Sequence, residues 1–366
     1  MTRIVVDIPG EAPYDVLVAP GCLGSLGAEL RKLDSNPRAL VVTDSEVASL
    51  YLQEVKDSLE AQGYLVSVIT VPSGETAKSV DCASEIWSAM AQCGLSRDSL
   101  VVALGGGVVG DLAGFTGSTF MRGLRIVQVP TTLLSMVDSS VGGKTAINLE
   151  SGKNLVGTFC QPLMVCADVS ALSSLPAREW SCGCGEIAKS AVIDSEEFFF
   201  WLYEHADELS ARTPEVVQEA VKRCIVFKAS VVARDQEETK GVRECLNYGH
   251  TLAHAIETEA GYGVYSHGHA VAQGKRFAAR LAVSHLGASM EFVQAQDALL
   301  DSLGLPVISL KADPDRLLQL MKGDKKVRSG KLRFVLPRAC GEWEVCELSD
   351  EFVLEYLQAW QRSIPV

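Results

Sequence analysis

Short apolar runs of β-type residues recur through the first half of the chain, separated by stretches with helical spacing. The runs are Val5-Val6, Ala39–Thr43, Tyr64–Ile69, Leu100–Leu104, Ile126–Val129 and Met164–Cys166. Strands alternating with helical segments predict a mostly parallel sheet with crossover helices. Past about residue 175 long helical periods dominate, in Glu196–Ser210, Pro214–Arg234, Tyr248–Glu259 and Ala270–Leu286. Thr213-Pro214 and Asp313-Pro314 each place a cap before a proline at the first helical position. Ser349-Asp350-Glu351 opens a last helix with acids at the positive end of its dipole. One short hairpin, Lys331–Leu336 with Trp343–Glu347, interrupts the helices. The expectation is an α/β domain over residues 1–175 and a mainly α-helical domain over 176–366, with the cleft between them as the default site.

Composition narrows the class. Hydrophobic residues are 47% of the chain and charged residues 22%, which excludes a disordered or fibrous protein. No stretch reaches the ~18–20 uninterrupted apolar residues of a membrane-spanning helix. A formal net charge of −13 opposes nucleic acid and anionic membranes as partners. The opening residues MTRIVVDIPGEAPYDV lack a secretory pattern, and eleven cysteines are scattered without a framework. Reduced thiols and a cytoplasmic location are expected. Cys182 and Cys184 have no second pair with which to build a zinc clip, so they read as buried thiols.

Gly105-Gly106-Gly107-Val108-Val109-Gly110-Asp111 follows a strand and opens a helix, fitting GxGxxG. Glycines let a backbone approach a pyrophosphate at a helix N-terminus. A tight strand-to-helix turn explains the same residues equally well. The usual ribose-binding acid ~20 residues further on is missing, and Asp44, at the end of an earlier strand, can take that role. Gly143-Lys144-Thr145 resembles the end of an ATPase phosphate loop, but the position that needs the first glycine holds Asp138, which rejects that reading.

Four of the six histidines fall between residues 250 and 269: His250, His254, His267 and His269. His250 and His254 share a helix face. A metal site needs a third ligand, and Glu186, read as starting a helix beside Lys189, is the best carboxylate. Two histidines, one carboxylate and an open position form a catalytic metal pattern. Cations also sit in turns beside glycine and asparagine: Arg122, Lys144 and Lys153-Asn154, joined by Lys189, Lys228, Arg243 and Lys325-Lys326. Such placement suggests a pocket for phosphate or carboxylate.

Together these segments resemble the 3-dehydroquinate synthase family. The likeness runs through Pro72–Ser79, Gly105–Asp111, MRGLRIVQVPTTLLSMVDSSVGGKTAINLESGKNLVGTFCQP at 121–162, Gly185–Lys189, LNYGHTLAHAIE at 246–257, YSHGHAVAQG at 265–274 and DKKVRSGKLRFVLP at 324–337. It implies a Rossmann-like sheet domain, a helical domain and a homodimer. The implied activity converts 3-deoxy-D-arabino-heptulosonate 7-phosphate to 3-dehydroquinate and phosphate in the shikimate pathway. NAD is oxidised and regenerated, and a divalent metal takes part, zinc first and cobalt as an alternative. The resemblance places the metal on Glu186, His250 and His267. It places NAD on Asp44, Glu75, Lys78, Gly106, Gly107, Asp111, Thr131, Thr132, Asp138, Lys144 and Lys153. Substrate contacts fall on Arg122, Asp138, Lys228 and Lys325, and catalytic roles on Lys144, Lys153, Asn154, Glu186, Lys189, Arg243, Asn247 and His254.

The chain departs from the family pattern at His269, often glutamate, at Lys275, often methionine, and at Ser174, usually threonine. Cys182 and Cys184 also stand where glycine and alanine are usual. His269 offers an alternative ligand two residues from His267. If the helix has begun there, it points about 200° away around the axis. A polyol dehydrogenase would need fewer cations. A related sugar-phosphate cyclase is disfavoured by the intact DSSVGGKTAIN run, and an inactive regulatory protein by the retained ligands.

Overall fold

The computed structural model describes residues 1–33, 36–261, 264–310, 312–323 and 332–363, and the elements below are those of the described residues. They group into two compact units, Met1–Leu175 with Val217–Glu237, and Pro176–Val216 with Glu238–Val366.

The first unit contains β1 (Thr2–Val6), β2 (Tyr14–Ala19), α1 (Leu26–Leu33), β3 (Arg38–Asp44), α2 (Ser45–Glu60), β4 (Leu65–Val71), α3 (Val80–Gln92), β5 (Leu100–Gly105), α4 (Gly107–Thr119), β6 (Arg125–Pro130), β7 (Lys144–Leu149), β8 (Gly152–Phe159) and β9 (Met164–Asp168). Seven strands form one sheet in the order β1-β2-β9-β6-β5-β3-β4. Every pair in it is parallel except β1 with β2.

The apolar runs are continuous because both sheet faces are covered. Val41, Val102, Val127 and Cys166 meet Leu26, Leu30, Val55 and Leu59 of α1 and α2 on one face. Leu40, Val42, Val101 and Ile126 meet Ile86, Met90, Leu112 and Phe115 of α3 and α4 on the other. Each such side chain contributes about 1.5–3 kcal/mol when fully buried. β4 lies on one side of β3 and β5 on the other, so the strand order reverses there. The carboxyl ends at this reversal, Asp44 and Gly105, mark the crevice where doubly wound sheets bind ligands.

The chain continues through α5 (Ala177–Asp194), α6 (Glu196–Glu204), α7 (Ala206–Ser210), α8 (Pro214–Arg234), α9 (His250–Ala260), α10 (His267–Leu286), α11 (Met290–Ser302), α12 (Pro314–Gly323), β10 (Leu332–Ala339), β11 (Glu342–Leu348) and α13 (Asp350–Ser363). All but most of α8 belong to the second unit.

Several local expectations are corrected. The strands β7 and β8 also form a hairpin, so Lys153 lies on a strand rather than in the turn assigned to it. β2 went unread, and it pairs directly with β1 instead of following a crossover helix. The expected helix at 196–210 is broken at His205. Helix α9 starts at His250, not Tyr248, and α10 starts at His267, not Ala270. Glu186 sits in the middle of α5 rather than at its start. Lys325 lies outside the described residues, as do Lys326 and Lys331.

Candidate active site

In the second unit, α5, α9 and α10 converge because glycines let their backbones touch. A Cβ on Gly268 would lie 2.5 Å from the Ser181 carbonyl oxygen and 2.6 Å from the Cys182 Cα. On Gly274 it would lie 1.8 Å from the Gly249 carbonyl oxygen. Any side chain there would push α10 away from α5 or from the entry to α9. Ser266 caps α10, its hydroxyl accepting from the His269 amide at 3.3 Å.

This packing gathers Glu186, His250 and His267, whose ligand atoms all lie within 4.8 Å of one another. Glu186 is 1% exposed, and its Oε1 is 3.7 Å from Nε2 of both histidines. That is too long for a hydrogen bond, and Oε1 has no hydrogen-bond partner among the described residues. Two ligands at 2.0–2.1 Å from a tetrahedral ion would stand about 3.4 Å apart. The spacing, the buried carboxylate oxygen without a partner and the imidazole–carboxylate donor set therefore fit a divalent metal.

The orientation of the rings supports this. His250 Nδ1 lies 3.2 Å from the Tyr248 carbonyl oxygen, which can only accept, so Nδ1 carries the proton and Nε2 keeps its lone pair. His267 Nδ1 faces Glu257 at 3.4 and 3.5 Å. Burial opposes the His267 imidazolium, but the Glu257 hydrogen bond and the charges of Glu186 and Glu257 outweigh it and raise its pKa. Glu257 had no role in the sequence reading. It stands seven residues after His250 on the same helix, and that spacing was the available signal.

Lys189, one turn after Glu186 on α5, is buried and ion-paired with Glu186 Oε2. The His254 ring stands edge-on to His250 with centroids 5.6 Å apart. Arg243 and Asn247 lie in the short helical turn Arg243–Asn247, with Arg243 buried and Asn247 Nδ2 donating to Glu238 at 3.4 Å. His269 is outside the three-residue group. Its Nδ1 is 2.6 Å from Ser266 Oγ, and burial lowers its pKa.

The other predicted residues lie in the first unit. Asp44 ends β3 and caps α2, with Oδ1 accepting from the Glu46 and Val47 amides. Gly106 caps α4 and Gly107 opens it, so the helix presents its first-turn amides at this glycine turn. Thr131 follows β6, and its buried hydroxyl has no partner among the described residues, nor does that of Thr43. Thr132 Oγ1 is 2.8 Å from Ser135 Oγ. Hydroxyls left over at the strand ends, with the glycine turn, fit a dinucleotide.

Lys78 Nζ donates to Asp111 Oδ2 and Asn154 Oδ1, both at 2.5 Å, and lies 4.0 Å from Glu75. Burial raises the Asp111 pKa despite Lys78. Lys153 Nζ is 4.0 Å from Glu75, and Lys144 opens β7 from an exposed position. Asp138 sits in a π-helical turn, Ser135–Ser139, where its carbonyl accepts from Lys228 Nζ at 2.6 Å and its carboxylate pairs with the same ammonium. Arg122 is exposed with a left-handed backbone, φ 70°.

A doubly wound sheet with a glycine-opened helix, together with a helical unit that gathers two imidazoles and a carboxylate, defines a dinucleotide- and metal-using class of enzyme. Family models described as 3-dehydroquinate synthase N-terminal and C-terminal match residues 68–182 and 183–327. The 3-dehydroquinate synthase of Rhodopirellula baltica is 50% identical over 302 residues, covering 82% of this chain and 80% of its own. That of Pelobacter propionicus is 44% identical, covering 97% and 98%. Among solved structures, 2-deoxy-scyllo-inosose synthase complexed with carbaglucose-6-phosphate, NAD+ and Co2+ superposes with a TM-score of 0.88 at 26% identity, covering 98% of this chain and all of its own. The 2-epi-5-epi-valiolone synthase of Streptomyces hygroscopicus, with NAD+ and Zn2+ bound, gives 0.87 at 26%, covering 98% and 99%. The chain belongs to the 3-dehydroquinate synthase family.

Proposed function

We propose that the protein converts 3-deoxy-D-arabino-heptulosonate 7-phosphate to 3-dehydroquinate and phosphate with the residues described above. The observation that carries the reading is the convergence of Glu186, His250 and His267 beside buried Lys189 in a chain of this family. NAD supplies a reversible hydride acceptor, and a divalent metal, zinc before cobalt, supplies Lewis-acid polarisation of a hydroxyl oxygen.

Glu186, His250 and His267 hold the metal. Asp44, Glu75, Lys78, Gly106, Gly107, Asp111, Thr131 and Thr132 would hold NAD, with Asp44, whose Oδ1 caps α2, in the place of the ribose-binding acid. Arg122, Lys144, Lys153, Lys228, Arg243 and Lys325 orient the anionic substrate and balance charge on the departing phosphate, Asn154 and Asn247 offer it amide groups, and Asp138 holds the Lys228 ammonium in place. His254, close to His250 and outside the ligand group, holds a proton at its imidazole for the carbon–oxygen steps. The first unit is the NAD-binding domain and also carries the substrate residues Arg122, Lys144, Lys153 and Lys228, and the second carries the metal ligands with Arg243 and Asn247, in a cytoplasmic homodimer. No described helix is long and apolar enough to cross a membrane.

The test is incubation with the heptulosonate phosphate, NAD and zinc. Phosphate release without accumulating NADH supports the cyclase. One NADH per substrate consumed indicates a dehydrogenase instead.

A further inference from the structure

We propose that Asn148 is a positioning residue that locks the Glu75–Lys78 turn to the tip of the β7–β8 hairpin, and so couples the cofactor-binding residues to the phosphate-binding ones. The inference rests on the functional reading above for what those two sets bind, and on geometry alone for the lock.

The β7–β8 register is regular from Lys144 with Phe159 to Ile147 with Val156, then shifts before Leu149 with Gly152. Asn148 occupies the irregularity and takes no place in the ladder. Its backbone amide donates across to the Lys78 carbonyl at 2.8 Å. Its side chain is used at both ends, Nδ2 donating to Glu75 Oε1 at 2.9 Å and Oδ1 accepting from the Asn154 amide at 2.9 Å. Asn154 has a left-handed backbone, φ 53°, which asparagine adopts more readily than most non-glycine residues. Its own Oδ1 receives Lys78 Nζ, which also binds Asp111. Removing Asn148 frees one side of this closed set of contacts. Glu75 loses its amide donor, and Asn154, adjacent to Lys153, loses the acceptor that holds its backbone. Asn148 contacts Glu75, Lys78 and the Asn154 amide, so its effect passes through those three residues.

The experiment compares wild type, Asn148→Ala and Asn148→Asp. Aspartate keeps the acceptor for the Asn154 amide but replaces the donor to Glu75 with a second carboxylate. NAD affinity is read by calorimetry, which needs no turnover, and hydrogen exchange at the Asn154 amide is read by NMR. With alanine, exchange at Asn154 rises and the NAD dissociation constant increases, each by about tenfold, the scale of one lost hydrogen bond. With aspartate, exchange stays near wild type while NAD still weakens. Unchanged exchange in the alanine variant overturns the lock. Faster exchange with unchanged NAD affinity overturns the coupling and leaves Asn148 a structural residue only. A wild-type protein that binds NAD but releases no phosphate defeats the functional reading without touching either arm.

Discussion

His267 stands between two carboxylates, with Nδ1 3.4 Å from Glu257 Oε1 and Nε2 3.7 Å from Glu186 Oε1. The first contact fixes the ring and gives the proton to Nδ1. The second leaves Nε2 facing a buried oxygen that lacks a hydrogen bond. This is the arrangement in which an outer carboxylate orients a metal-binding histidine.

Glu257→Gln should therefore weaken zinc binding by about 10–100-fold, measured by competition with a chelator. The metal competes with a proton for His267, whose pKa is raised in the metal-free protein. Affinity should fall as pH drops through that raised value. In Glu257→Gln the fall should begin at lower pH, because one of the groups holding the proton is gone. A variant with wild-type affinity and an unshifted pH profile would show that Glu257 does not orient the ring.

Lys275 supplies a second prediction. It is fully buried on α10, donates to the Gly185 carbonyl at 2.5 Å, and is pushed down to about 7, by burial first, with Lys189 and Arg276 adding and Glu186 opposing. Below pH 7 the folded protein must bury an ammonium, whereas the unfolded chain solvates it freely. Between pH 7 and the ordinary value of 10.5 the unfolded chain binds more protons, so this group's contribution to stability rises with pH. Lys275→Met should raise the unfolding temperature at pH 7 by an amount corresponding to a few kcal/mol. The gain should shrink toward pH 10. Equal gains at both pH values would mean that packing, not charge, sets the effect.

The parallel sheet was legible because β3 and β5 are buried on both faces and so read as unbroken apolar runs. The metal candidates were legible from the crowding of histidines after residue 250. The β7–β8 hairpin was not. Its glycines read as turns, its strands carry Lys144, Lys153 and Asn154, and the irregularity at Asn148 breaks the period of two. The start of α5 was misplaced because Ser181-Cys182-Gly183-Cys184-Gly185 has poor helix propensity, about 1 kcal/mol lost per glycine. Burial of the whole stretch from Cys182 to Ile193 overrides it.

Lys153 and Lys222 are exposed to the same degree, 40% and 42%, and differ in where they stand. Lys153 follows the hairpin turn beside Asn154, within 4.0 Å of Glu75. Lys222 is on α8, half-exposed, and pairs with Glu219 one turn away at 2.9 Å. If Lys153 stabilises charge in the transition state, Lys153→Ala should lose about 10²–10³ in kcat. Lys222→Ala breaks only an exposed ion pair, worth roughly 0–1 kcal/mol of stability, and should leave kcat unchanged. Steady-state phosphate release measures both, and similar losses would remove the case for an anion pocket at the hairpin tip.

The two histidines at the start of α10 make the metal assignment testable. His267 is the first residue of the helix and turns Nε2 toward Glu186. His269, two positions on, lies about 200° around the axis, and its Nδ1 is engaged with the Ser266 hydroxyl that caps the helix. The capping contact gives His269 a structural task, and a three-ligand set leaves open positions for substrate oxygens that a further histidine would close. After loading with zinc and dialysis, His250→Ala and His267→Ala should retain little metal by elemental analysis. His269→Ala should retain a full equivalent, with a modest loss of thermal stability from the weakened cap. Retention in His267→Ala with loss in His269→Ala would move the third ligand two residues along the helix.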